Sequence, residues 1–160
     1  MEHLIEHLYV FVDYDGVVKT YAEWFPTYIQ RHSEPFSHSM INVLSFLAWE
    51  AHLPAYFIPM SSTPGNYSKE ELETMFRDVY HIDNLFLHPE IPIAPVRTNR
   101  HSFVKEILQK YQVKYHLIFD DEDFWYQNQD LNYIKTDTYD GITHNAFMAA
   151  DKLLQNMIKK

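Results

Sequence analysis

Uninterrupted apolar runs alternate along this chain with segments whose apolar residues recur at helical spacing. The run 8–12 is apolar throughout, the pattern of a central parallel strand covered on both faces. In 39–52, Ile41, Leu44, Leu47, Ala48 and Ala51 fall on one broad face of a helix, and a second strand follows at about 55–60. Ser68 then caps a helix in which Leu72, Met75, Phe76 and Val79 repeat at helical spacing. Residues 84–87 predict a short strand, and Pro89, Pro92 and Pro95 mark the loop after it. A helix over 99–111 turns Phe103, Ile107, Leu108 and Tyr111 inward and delivers the chain to a strand ending at Asp120. A fifth strand is expected at 131–135, then a turn at Asp140-Gly141. Thr143 caps the last helix, whose buried face is Phe147, Ala150, Leu154 and Met157 or Ile158. The aromatic-rich segment 19–37 carries Pro26 and Pro35 and has no clean period, so it reads as an ordered excursion. Strand and helix in alternation predict an α/β domain with a central parallel sheet flanked by helices.

Composition narrows the classes that remain. A length of 160 residues, with 46% hydrophobic and 16% aromatic content, predicts one domain with an ample core. No apolar run approaches the ~20 residues that span a bilayer, and the first residues are acidic where a signal peptide is basic, so the expected location is the cytoplasm. The chain has no cysteine, which excludes disulfides, thiolate nucleophiles and cysteine-based zinc sites. A net charge of −9 disfavours extended duplex binding, but a cation and a local basic group still suffice to hold one phosphate. The ten histidines include His3 and His7 at helical spacing but no HExxH arrangement, and surface or satisfied core roles are expected of them.

The chemistry is concentrated where apolar runs end. Tyr9-Val10-Phe11-Val12 runs into Asp13-Tyr14-Asp15-Gly16, Tyr56-Phe57-Ile58-Pro59-Met60 into Ser61-Ser62, and Tyr115-His116-Leu117-Ile118-Phe119 into Asp120-Asp121. A carboxylate at the end of a buried strand is costly unless paired, metal-bound or open to solvent, so two acidic pairs in this position suggest a shared cation and phosphoryl-transfer chemistry.

Asp13-Tyr14-Asp15-Gly16-Val17-Val18 resembles the first motif of the haloacid dehalogenase-like (HAD) superfamily. Met60-Ser61-Ser62 resembles the second motif, and Asp120-Asp121 the paired-acid form of the fourth. The likeness spans about 8–154 in the correct order. The acidic stretch 120–125 with Ile134-Lys135-Thr136-Asp137 and Gly141-Ile142-Thr143 is further similar to small HAD domains of RNA-repair proteins.

The resemblance implies a Rossmann-like fold and aspartyl-phosphate chemistry supported by Mg2+. Asp13 would be the nucleophile and a metal ligand. Asp15 would protonate the leaving oxygen and then activate water, its backbone carbonyl also binding the metal. Ser61, with Ser62 as the neighbouring choice, would donate to a phosphate oxygen. Asp121 matches the metal-binding acid of the fourth motif and Asp120 the first acid of the pair, leaving open which is the main ligand. For the cation that neutralises the phosphate, Arg100 at the start of the predicted helix is favoured over Lys105 and Arg97.

Helices and strands consume most of the intervals between motifs, leaving little chain for a large cap. The resemblance therefore implies an open site and a phosphorylated substrate such as a nucleotide, a nucleic-acid end or a phosphoprotein. Substrate contacts would fall to the 19–37 excursion and the loop after Asp123, where Tyr21, Trp24, Phe25, Trp125 and Tyr126 are candidate pocket residues. The expected function is a magnesium-dependent phosphomonoester hydrolase, with a phosphotransferase differing only in the acceptor. The rival is a non-catalytic phosphate-binding or regulatory module that keeps the fold.

Overall fold

A computed structural model describes residues 5–13, 36–60, 67–93, 100–122, 130–137 and 140–159. Five strands form one all-parallel sheet: β1 (Leu8–Val12), β2 (Ala55–Pro59), β3 (Leu85–Phe86), β4 (Tyr115–Asp120) and β5 (Tyr133–Lys135). Their spatial order is β3-β2-β1-β4-β5, consistent with a Rossmann-like fold. The central β1 and β4 are buried at every residue, which is why they read as unbroken apolar runs, whereas the edge strands β3 and β5 are short.

Among the described residues four helices cover the sheet: α1 (His38–Ala51), α2 (Lys69–Asp78), α3 (Arg100–Lys110) and α4 (His144–Ile158). The buried residues of α1 are the five expected, Ile41, Leu44, Leu47, Ala48 and Ala51. Ser68 and Thr143 cap α2 and α4, accepting from the N–H of Glu71 and Ala146. Gly141 closes the turn before α4 at φ 69, where a Cβ would clash. On α4 the fully buried set is Ala146, Ala150 and Leu154; Met157 packs on the core while Ile158 is exposed.

Side chains alternate between two cores. Leu8, Val10, Val12, Leu117 and Phe119 face α1, α2 and α4 across one core. Tyr9, Phe11, Ile58, Met60 and Ile118 face α3 across the other, smaller one. Right-handed crossovers explain this division: the chain steps outward from β1 to β3 with α1 and α2 on one face. It then reverses past β1 to β4, which sends α3 to the opposite face. Among the described residues no helix is long and apolar enough to cross a membrane.

Candidate active site

The reversal of direction between β1 and β4 makes a topological switch point, and in open parallel sheets ligands bind outside the carboxyl ends of the strands there. Val12 pairs with Phe119, so the next residue on each strand is an aspartate, Asp13 or Asp120. The Asp13 N–H donates to the Phe119 carbonyl (3.0 Å), holding the two strand ends in register. Period-two alternation turns both carboxylates toward the α3 face, because Phe11 and Ile118, two residues earlier, already point there.

Arg100, the first residue of α3, lies over this pair. Its Nη1 is 2.7 Å from Asp120 Oδ2 and its Nη2 is 3.4 Å from Asp13 Oδ1. Asp120 is fully buried, and its other oxygen accepts the Glu122 N–H at 3.0 Å. The Tyr133 hydroxyl donates to the Asp120 carbonyl (3.3 Å), and the Thr136 N–H donates to the same oxygen (2.9 Å). Asp120 is thus anchored through side chain and backbone together.

Asp121, half-buried, completes the cluster: one ligand oxygen from each of Asp13, Asp120 and Asp121 lies within 4.8 Å of the others. Burial pushes the Asp13 carboxyl up to about 8; the Asp120 carboxylate adds to the rise, Arg100 opposes it, and the Asp121 carboxyl within hydrogen-bonding reach raises it further. One guanidinium cannot balance three carboxylates in so small a volume. Ionising Asp13 here would be favoured by further positive charge, and an all-oxygen donor set suits a hard divalent cation.

The structure therefore brings together four sequence-predicted site residues, Asp13, Arg100, Asp120 and Asp121. Lys105 is turned away, its Nζ 3.5 Å from the exposed Asp130 carboxylate. Asp15, Ser61, Ser62 and Arg97 lie outside the described residues, as do Tyr21, Trp24, Phe25, Trp125 and Tyr126. Sequence reasoning did not single out Tyr133 and named Thr136 only within the 134–137 stretch, without a role; their contacts with Asp120 depend on β5 being its neighbour. The two histidines buried among the described residues have structural partners: His116 Nε2 accepts the Asn132 N–H (3.1 Å), and His88 Nδ1 accepts the Glu90 N–H (3.1 Å). Burial lowers both, His116 to about 4, which favours the uncharged ring in each case.

No protein-family model matches the chain, and no curated protein matches it. Fold and site together define an α/β protein with an acidic, arginine-bridged cluster at the sheet's switch point.

Proposed function

We propose that this chain is a magnesium-dependent phosphomonoester hydrolase of the HAD type, acting through an aspartyl-phosphate on Asp13. The observation that carries this reading is the convergence of Asp13, Asp120 and Asp121 beneath Arg100 at the carboxyl ends of β1 and β4. Both oxygens of Asp120 already accept from the protein, so Asp13 and Asp121 are the better placed to hold the ion, with Asp120 fixing Arg100. When bound, magnesium would supply the positive charge that screens an anionic phosphate ester from carboxylate attack.

The protein's own groups account for the remaining steps. An Asp13 carboxylate oxygen attacks phosphorus as the bond to the leaving oxygen breaks, and that oxygen departs with a proton. Water then attacks the same phosphorus, releasing inorganic phosphate and restoring the carboxylate. Asp15 is proposed, from the motif, to give the first proton and take the second. Arg100 reaches Asp13 and Asp120 at once, which orients the nucleophile and leaves the guanidinium beside the developing negative charge.

The test is phosphate release from a small aryl phosphate with and without magnesium, in the parent and Asp13→Asn proteins. The parent should turn over only with the metal, and the folded variant should show no detectable turnover. Substantial activity in a well-folded Asp13→Asn protein rules out the covalent mechanism. Magnesium binding by the parent without any turnover would favour a regulatory phosphate-binding module instead.

A further inference from the structure

The end of the sheet opposite the aspartate cluster carries an apolar surface of a different kind. Trp49 is 65% exposed, Phe46 44% and Met148 50%. Phe46 stacks on Trp49 (5.9 Å between centroids, 30°) and meets Phe147 of α4 at 5.9 Å, so the aromatic residues form one ridge across the α1–α4 seam. Trp49 also forms one wall of an open cavity of about 330 Å3 with Leu53, Pro54, Asn84 and Phe86. That volume lies at the lower end of the ~300–1,000 Å3 typical of ligand sites. Leu53 and Pro54 precede β2 and Asn84 precedes β3, which puts the cavity at the amino ends of these strands.

Three carboxyls lie beside this surface, with the His52 ring also at the cavity wall. Glu50 follows Trp49, and its carboxyl lies within hydrogen-bonding reach of Asp151 on α4. Asp151 Oδ1 is buried and accepts no hydrogen bond among the described residues. Asp83 lines the cavity as well. None of the ion pairs among the described residues involves Glu50, Asp151 or Asp83. Two adjacent carboxyls next to apolar surface complement a cation carried on an apolar segment. A second copy of the chain docking face to face would oppose these same carboxyls, and a net charge of −9 repels an anionic lipid surface.

We propose that this surface docks a basic, apolar segment of a partner protein, with an apolar side chain entering the cavity against Trp49 and a lysine or arginine reaching Glu50 and Asp151. Binding here leaves the carboxyl ends of β1 and β4 uncovered, so the partner would place the protein without blocking the aspartate cluster.

The experiment uses fluorescence anisotropy of labelled twelve-residue peptides carrying Leu, Phe or Trp anchors flanked by either lysine and arginine or glutamate. The basic series should bind and the acidic series should not. Trp49→Ala, at an exposed position, should weaken binding by at least ~10-fold. Glu50→Gln with Asp151→Asn should weaken it and flatten its salt dependence, while Glu106→Gln on α3, which removes a charge elsewhere, should leave it unchanged. Three results overturn the proposal: no binding by any basic peptide, equal loss in the Glu106→Gln control, or full binding by Trp49→Ala. Sedimentation of the protein alone supplies a further arm. A concentration-dependent dimer abolished by Trp49→Ala would make a second copy the occupant and would equally overturn it.

Discussion

Asp13 is held in the cluster at a cost, and it is the side chain on which the proposed chemistry rests. Its carboxyl titrates near 3.8 when unfolded but is pushed up to about 8 by burial and the Asp120 carboxylate. Between those values the folded chain holds a proton that the unfolded chain has lost. The resulting stability is fully present below about pH 3.8 and is lost as pH rises through 8. Without metal, Asp13→Asn should therefore melt higher than the parent near pH 8, and the gap should close toward pH 4. Calorimetry across that range checks this, and a gap independent of pH would mean that Asp13 is not held under electrostatic strain. Asp13, Asp120 and Asp121 were legible in the sequence because each closes an apolar run at a point where a buried charge demands a reason. What could not be read was how Asp120 is satisfied, since the Arg100, Glu122 and Tyr133 contacts exist only once α3 and β5 are in place.

At the scale of elements, α1 was read correctly down to its buried face, and the caps of α2 and α4 were visible as Ser68 and Thr143. On α3 the expected residues do pack inward, but how deeply each is buried was not legible. Phe103, Ile107, Leu108 and Tyr111 were expected inside, yet Val104 and Ile107 are the buried residues and the other three are half-buried. Large aromatic side chains dominate a periodicity count, whereas α3 is the one described helix on its side of the sheet, so its flanks stay partly open and only the line directly over β1 and β4 is sealed. The difference is measurable. Val104→Ala should cost about 1–3 kcal/mol in urea unfolding, as deletion of fully buried methyls does, and Leu108→Ala should cost less despite removing more atoms. The reverse ranking would make Leu108 the more deeply packed of the two. The strands β3 and β5 came out shorter than expected, Leu85–Phe86 and Tyr133–Lys135 against 84–87 and 131–135, because edge strands have a neighbour on one side only.

For the whole molecule, alternating strands and helices announced an α/β sheet, but the order β3-β2-β1-β4-β5 was not written in any local pattern. It follows from crossover handedness and from which edge each new strand joins, and it is what makes β1 and β4 neighbours. The two halves of the acidic cluster then meet across the middle of the sheet, so ion binding should stabilise the fold globally. Adding magnesium should raise the melting temperature at neutral pH, chelation should reverse it, and Asp121→Ala should shrink the response. An unchanged melting temperature on adding magnesium would end the metal assignment.

The register of β1 with β4 also sets a timetable. Leu8 lies opposite Tyr115, so the central strand is made well before the partner that completes its second edge, roughly a hundred residues further along the chain. At about 5–20 residues per second, translation leaves that edge unpaired for roughly 5–20 s on the ribosome, with β2 the only neighbour then available. Asp13 is synthesised with that central strand, before the carboxylates it meets in the cluster exist. A nascent chain is therefore without the assembled acidic cluster until the crossover through α3 has brought β4 beside β1.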